Sequence, residues 1–568
     1  MIRDAFAHSW FALILFSMIA ACSSSPDSNP PFSPGDEGRL LVRTTQYGEV
    51  EGILGDANTY AWLGIPFAKP PVGELRWKAP REPEPWEGSR PADTFAGSCP
   101  QVGGITGILD PDTFGQPVGS EDCLYLNIWR PRSHDPSNEE VLPVYVWIHG
   151  GGNSVGYAAM SLYDGANFSN RTDMVFVSIS YRLGPLGWLT HPMLRDGDIL
   201  DDSGNYGTLD IIRALEWVRD NIAAFGGDPG NVTIAGESAG GMNVYSMLAS
   251  PLADGLFHRA ISQSGAPTST PISAGETHSQ RLFIQLLLND ELAATQQEAE
   301  ELIEEKGGSW AKDYLRSKSP GELLACQTPM PSGMLIETLL YMIIEDGTVM
   351  PANPLTCLRT GDYNHVPFLV GNNAEELKLF LPLFIGRLSE RELGRLVIDL
   401  DPEEGSGLEL EDLLNPLFWP AYEPLGSLGG LMFQAVGVDT PASRMSLHQD
   451  DVYVYRFAWD EEPPPMDFLI GAGHSMEIPF IFGNFQLDKD SVMRFAWSEE
   501  NRPAREGLSH AMMTYWANFA KTGDPNTPHT DLPMWHAWSN EPGAPKRMIL
   551  DTGDLSMSAE MAQARQDR

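Results

Sequence analysis

Val232-Thr-Ile-Ala-Gly-Glu-Ser-Ala-Gly-Gly241 sets a serine between two kinds of local structure. Val232 to Ala235 is a short β-rich apolar run, the signature of a buried strand. Met242 to Leu248 is apolar and helix-forming. Between them, Gly236-Glu237-Ser238-Ala239-Gly240 fits G-x-S-x-G. Ser238 therefore falls on a strand-to-helix turn, the context in which that pattern carries chemistry. A nucleophile on so sharp a turn takes strained backbone angles. Its neighbours two positions away must be very small, which Gly236 and Gly240 satisfy. The turn pushes Ser238 into the open at a helix N-terminus, where the dipole and free N–H groups favour negative charge.

Upstream, Val144-Tyr-Val-Trp-Ile-His149 reads as a central strand buried on both faces, and it runs straight into Gly150-Gly-Gly152. Backbone there can approach a ligand closely and aim N–H groups at an oxygen, the alternative being a plain flexible turn. Further strands are predicted over Glu121–Trp129 and Met174–Tyr181, with an opening hairpin from Leu40 to Leu54 around Gly48 and a helix from Thr208 to Phe225. Downstream, Val366–Val370 and Val452–Phe457 read as strands and Leu508–Ala520 as a helix, with short strands at the end of the chain. This alternation predicts an α/β fold, a central mostly parallel twisted sheet flanked by helices. Gln280–Arg316 reads as helix and Lys378–Gly430 as largely helical and acidic. Both look like insertions over the sheet's carboxyl edge, where α/β folds bind ligands.

The 568 residues would allow several domains, and 42% hydrophobic with 10% aromatic content supports an extensive core. A net charge of −40 repels nucleic acid and anionic lipid head groups, so no nucleic-acid partner is expected. The histidines lack metal-ligand spacing, and there is no internal repeat.

Met1 to Ala21 reads as a secretory signal, with Arg3 ahead of an apolar run from Trp10 to Ala20 that is too short to span a bilayer comfortably. It ends in Ile19-Ala-Ala-Cys22, similar to the bacterial lipoprotein box, in which the cysteine becomes the lipidated first residue. Ser23 to Pro34 is a polar Pro/Ser tether with no means of packing a core. The expected layout is a signal peptide over 1–21, a disordered tether over 22–38, a single catalytic domain over 39–555 and a tail over 556–568. On this expectation the protein is exported and touches a membrane only through a lipid on Cys22. Ser after the cysteine points to the outer membrane. The alternative is an ordinary signal peptide with an incidental cysteine. Four cysteines remain, and an exported chain meets oxidising conditions. Cys99 and Cys123 flank a Gly/Pro-rich loop and are the expected disulfide. Cys326 and Cys357 either pair with each other or stay as buried thiols.

Several motifs together resemble the type-B carboxylesterases of the α/β-hydrolase superfamily, the family that includes cholinesterases. They are Phe67-Ala-Lys-Pro-Pro-Val-Gly-Glu-Leu-Arg-Trp77, Glu121-Asp-Cys-Leu-Tyr-Leu-Asn127, Tyr181-Arg-Leu-Gly-Pro-Leu-Gly187, Asn205-Tyr-Gly-Thr-Leu-Asp210, Phe225 through Gly240, Gln263-Ser-Gly265, Glu477-Ile-Pro-Phe-Ile-Phe-Gly483 and Tyr515 through Asn526. The resemblance runs from about Val42 to Trp538. It implies an α/β-hydrolase fold and a serine carboxylic ester hydrolase acting on small-molecule esters, with no metal or organic cofactor. It carries the nucleophile to Ser238, the general base to His474 and the acid to Glu376, the second acidic residue of Asn373-Ala-Glu-Glu376. It carries the oxyanion-hole N–H groups to Gly151, Gly152 and Ala239, and the early disulfide to Cys99 and Cys123. Glu237, Ser264 and His149 are expected around these groups. His149 is a tempting alternative base, or a hydrogen-bonder that fixes the glycine loop. Residues of Phe380–Phe384 and Leu431–Phe433 are candidates for lining an acyl or alcohol pocket.

The chemistry needs each part. A serine hydroxyl is a weak nucleophile until a base removes its proton. A histidine does so near neutrality and later protonates the leaving alcohol. A carboxylate orients the imidazole and stabilises its charged form. The loop between Cys99 and Cys123 has no Trp where cholinesterases carry an aromatic choline contact, which argues against choline esters. The second family disulfide is missing at its usual place. Two other functions compete: a non-catalytic adhesion or binding protein, as some relatives are, and amide hydrolysis on the same machinery. The persistence of Ser238, Glu376 and His474 favours ester hydrolysis.

Overall fold

Alternating apolar strands and amphipathic helices assemble into one large sheet. A computed structural model describes residues 40–558 apart from 106, 134–140, 327–342, 400–408, 487–490, 492, 528–530 and 553–555. The expected signal peptide, tether and Cys22 lie outside the described residues.

The sheet has eleven strands: β1 (Ile53–Gly55), β2 (Thr59–Pro66), β3 (Tyr125–Pro131), β4 (Leu142–Ile148), β5 (Val175–Ile179), β6 (Gly227–Glu237), β7 (Arg259–Gln263), β8 (Phe368–Asn373), β9 (Val452–Phe457), β10 (Arg547–Leu550) and β11 (Ser556–Ser558). Their spatial order is β11-β10-β9-β8-β7-β6-β4-β5-β3-β2-β1. The seven from β5 through β10 in that order run parallel, and antiparallel strands flank them on both sides. This is the mostly parallel α/β-hydrolase sheet expected.

β4 shows why its sequence is apolar throughout. Successive side chains of a strand point to opposite faces. Val144, Val146 and Ile148 join a core with Ile211, Leu215 and Trp217 on one face. Tyr145 and Trp147 join Phe168, Phe176 and Phe482 on the other. Helix α1 (Tyr206–Asn221) supplies the first layer and α2 (Ala239–Ala249) leaves directly from β6. Arg182 and Asp210 tie the loop after β5 to α1. Arg182 Nε and Nη2 each donate to an Asp210 carboxylate oxygen at 2.7 Å, and both side chains are buried.

Several elements differ from expectation. The hairpin Val42–Thr45 with Gly48–Glu51 forms as predicted, but in a separate three-stranded sheet with Ser89–Pro91. The strand expected from Glu121 begins only at Tyr125, because Glu121 is drawn off by Arg76 (Nε to Oε1, 2.7 Å) and Cys123 by its disulfide to Cys99. The helical stretch expected over Gln280–Arg316 is interrupted: α3 (Ile272–Asn289) is followed by α4 (Gln296–Ser317), itself broken at Gly307, whose φ of 75° and ψ of −179° are not helical. Asn289-Asp290-Glu291 stops the first, with Glu291 at φ 57°, and Thr295 caps the second through the Glu298 N–H. Among its described residues Lys378–Gly430 is largely helical, as expected, but as several short helices. Its α-helices are Leu381–Ile385, Glu390–Asp399, Leu410–Leu413 and, as α5, Trp419–Phe433. Gly386 closes the first turn, and Ser389 with Glu392 forms a capping box that restarts the chain. Cys326 and Cys357 are both buried free thiols, which settles that alternative.

Candidate active site

The site gathers where β4, β6, β7 and β8 end. Ser238 follows β6 and precedes α2, with φ 58° and ψ −123°. That is a strained backbone for a residue with a Cβ. Its N–H donates to the Gln263 carbonyl at the end of β7 (2.8 Å), which locks the turn. The glycines flanking it are sterically required. A Cβ on Gly236 would lie 2.5 Å from the Gly240 carbonyl carbon, and one on Gly240 would run into the Ile148 carbonyl oxygen.

The glycine loop after β4 folds onto this turn. A Cβ on Gly150 would meet Ser238 Cβ at 3.1 Å and Glu237 Oε2 at 2.9 Å. Gly151 and Gly152 both take left-handed backbone, at φ 103° and 65°. Ala239 opens α2, where first-turn N–H groups have no acceptor within the helix. His149 is buried. Its Nδ1 pairs with the Gly150 carbonyl (2.8 Å), and its ring stacks on Tyr181 at 4.4 Å. Burial pushes its pKa down to about 4. It is thus built into the wall behind the glycine loop.

His474 sits in a loop and is brought to this point by contacts with β8. Its Nδ1 lies 2.5 Å from Glu376 Oε2. Its Nε2 lies 3.1 Å from Glu237 Oε1. Glu376 is wholly buried and fully engaged. Its other oxygen accepts from Ser264 Oγ (2.8 Å) and from the Asn373 N–H (2.7 Å). Glu237 also accepts from Ser475 Oγ at 2.8 Å. The structure thus brings together Ser238, Glu237, His474, Glu376, Ser264 and the glycine loop, which the sequence drew from distant segments. Glu375, the neighbouring carboxylate, turns away and pairs with Lys378 (2.9 Å).

The polar cluster extends beyond the sequence expectation. Glu477 accepts from Gln263 Nε2 (3.0 Å) and Asn373 Nδ2 (2.6 Å), and Asn373 Nδ2 also donates to the Gly473 carbonyl (2.6 Å). Glu477 lies in the motif after His474, but nothing in the sequence marked its burial beside Glu237 and Glu376. Three carboxylates around one imidazole set the electrostatics. Burial alone would depress His474, but Glu237, Glu376 and Glu477 overcome it and push it up to about 9. Burial pushes Glu237 up to about 8, opposed by His474 and reinforced by Glu477 and Glu376. Burial and the Glu376 charge likewise raise Glu477. His474 and Glu237 lie 3.1 Å apart, so the two groups titrate as a coupled pair.

Aromatic rings flank the imidazole, with Phe380 at 5.2 Å and Phe433 at 5.7 Å between centroids. Both belong to the segments expected to line a pocket. Among the described residues, no group of three or more His, Cys, Asp or Glu is arranged to hold a metal ion. No described helix is long and apolar enough to cross a membrane.

Residues 39–400 and 422–565 match the carboxylesterase family. The chain is 35% identical over 527 residues to para-nitrobenzyl esterase of Bacillus subtilis, covering 90% of this chain and 95% of that one. It is 34% identical over 570 residues to acylcarnitine hydrolase of Mus musculus, covering 93% and 90%. It is 35% identical over 545 residues to cocaine esterase of Homo sapiens, covering 89% and 88%. Among solved structures, a PNB esterase superposes with a TM-score of 0.70 at 31% identity, over 91% of this chain and 97% of that one. A Geobacillus stearothermophilus carboxylesterase does so with a TM-score of 0.68 at 30% identity, over 90% and 96%.

Proposed function

The chain belongs to the carboxylesterase family, and from that premise we propose that this carboxylic ester hydrolase works through an acyl-enzyme formed on Ser238. In the first half-reaction His474 Nε2 takes the Ser238 hydroxyl proton as Oγ attacks the ester carbonyl carbon. The N–H groups of Gly151, Gly152 and Ala239 hold the resulting oxyanion, each loss costing about 3 kcal/mol of barrier. Collapse breaks the bond to the alcohol oxygen, which leaves with the proton from His474. Water then attacks the acyl-enzyme by the same route and restores Ser238. Glu376 holds Nδ1 and stabilises the imidazolium.

The observation that supports this reading best is the imidazole of His474 fixed at Nδ1 by Glu376, with Nε2 at Glu237, the residue before a serine held in a strained turn. An imidazole nitrogen makes one in-plane hydrogen bond. Nε2 must therefore leave Glu237 to serve Ser238, and Glu237 acts as the resting partner of the base. Phe380 and Phe433 favour esters with an apolar or aromatic group next to the carbonyl. Suitable probes are p-nitrobenzyl and p-nitrophenyl esters of increasing acyl length. Folded Ser238→Ala protein with no turnover on this panel is the expected result. Turnover retained in that variant would overturn the assignment.

We also propose that the chain is exported and lipid-anchored through Cys22, with 22–38 as tether and 39–555 as the catalytic domain. Ile19-Ala-Ala-Cys22 followed at once by the Pro/Ser segment supports this.

A further inference from the structure

Next to the acid lies a buried cation that the mechanism above does not use. Lys378 is 3% exposed, and its ammonium sits 2.9 Å from Glu375 Oε1 and 2.9 Å from Glu423 Oε1. The two carboxylates belong to different elements. Glu375 immediately precedes Glu376, and Glu423 is on α5, the helix that also carries Phe433. A buried ammonium is costly unless paired. Here two partners overcome the penalty of burial and raise its pKa.

Glu375 passes this anchorage to the histidine loop. Its N–H donates to the Ala472 carbonyl (2.9 Å), and its Oε2 accepts from the Ala472 N–H (3.3 Å). Ala472 is two residues before His474. The same side chain therefore joins Lys378 to one loop while its backbone belongs to the other. Gly471 packs so closely that a Cβ there would run into Glu375 Oε2 and lie 3.2 Å from Lys378 Nζ. A Cβ on Gly426 of α5 would meet Lys378 Cγ at 2.8 Å, so the helix lies flat on the lysine stem. Tyr422, one residue before Glu423, donates its hydroxyl to the Leu469 carbonyl (2.8 Å), which closes the third side. Glu462, itself buried, is also within electrostatic reach of Lys378 and Glu375.

We propose that Lys378 is a positioning residue: by gripping Glu375 and Glu423 together, it sets the loop Gly471–His474 against the loop Asn373–Glu376 and so fixes the His474–Glu376 hydrogen bond. The inference rests on the proposal that His474 and Glu376 carry the chemistry. Loss of the ammonium leaves a buried carboxylate without its counter-charge. Glu375 then takes up a proton or turns to solvent, and Ala472 is released.

The test uses the full chain with p-nitrophenyl butyrate, and kcat is divided by the active-site concentration from the burst. Lys378→Met is expected to lower kcat per site by about tenfold to a hundredfold, the scale of a small misplacement of catalytic groups, with KM within about twofold. Losing a positive charge also moves the acid limb of kcat/KM to higher pH. Lys378→Arg is expected to restore most of kcat, and Lys378→Met with Glu375→Gln to exceed Lys378→Met alone, because the stranded charge is gone. A merely structural lysine would change the number of active sites, not the rate at each. Wild-type kcat per site in Lys378→Met would overturn the inference, whatever the limb does. If that variant does not fold, Glu375→Gln decides: its single amide oxygen can accept from Lys378 or from the Ala472 N–H but not from both. A drop in kcat per site of at least about threefold supports the clamp, and an unchanged rate overturns it. Should Ser238→Ala remain active, the mechanism fails first. Should Ser238→Ala be dead while Lys378→Met is unaffected, only this inference fails.

Discussion

His474 and Glu237 face each other at 3.1 Å, Nε2 to Oε1, while Glu376 holds the opposite nitrogen at 2.5 Å. The base is thus doubly engaged before any substrate arrives. The proposed mechanism requires the imidazole both to lose a proton and to exchange one partner for Ser238. Glu237 occupies the position beside the nucleophile in sequence, so strand β6 delivers both the serine and the group that competes with it for the imidazole.

This arrangement predicts the pH profile. Carboxylates beside an imidazole favour its charged form, so a higher pH is needed to free Nε2. The acid limb of kcat/KM is expected above the ordinary histidine value of about 6.5. Glu237→Gln removes one of these charges and is expected to move the limb down. A limb that stays in place or rises in Glu237→Gln would contradict the electrostatic assignment.

The two adjacent acids are expected to separate cleanly. Glu376→Gln removes the carboxylate at Nδ1 and is expected to lower kcat by a few orders of magnitude, by analogy with serine hydrolases whose acid is neutralised. Glu375→Gln touches only the Lys378 and Ala472 contacts and is expected to cost far less. Parallel kcat measurements check this, and a more severe loss in Glu375→Gln would shift the acid by one residue.

Sequence made the nucleophile turn legible because strand, glycine spacing and helix all coincide within Val232–Leu248. The parallel sheet was legible for a similar reason: Val144–Ile148 is apolar on both faces, and only a sheet covered on both sides needs that. The carboxylate that meets His474 was legible only through family register, since Glu375 and Glu376 are chemically alike and their opposite orientations arise from contacts with residues about a hundred positions away. Glu477, Asn373 and Gln263 were not legible as a network. They sit at the borders of three separate apolar segments, and periodicity carries no sign that they meet. The helical character of the insertions was legible, but not the breaks within them, where short polar signals such as Asn289-Asp290 and Ser389 interrupt good helix formers.

Asp210 is expected to carry stability without touching the chemistry. It is wholly buried and bidentate to Arg182. Asp210→Ala strands a buried guanidinium, at a cost of about 3–5 kcal/mol. Chemical denaturation should show that loss as a lower midpoint. A midpoint within error of wild type would mean that Arg182 finds another partner.

The anchor proposal is checked by fractionation. In a bacterial host, Cys22→Ser is expected to move the enzyme out of the membrane fraction. The same membrane-bound share before and after the substitution would contradict lipidation at Cys22, as would a wild-type protein already free of the membrane.

The account rests on a covalent bond to Ser238. The most direct measurement is intact-protein and peptide mass spectrometry after rapid acid quenching of the enzyme with a p-nitrophenyl ester. One acyl group per chain on the peptide carrying Ser238, matched by one equivalent of released p-nitrophenol in the burst and absent from Ser238→Ala, is the predicted result. An acyl group on another residue, or a full burst from folded Ser238→Ala, would contradict it.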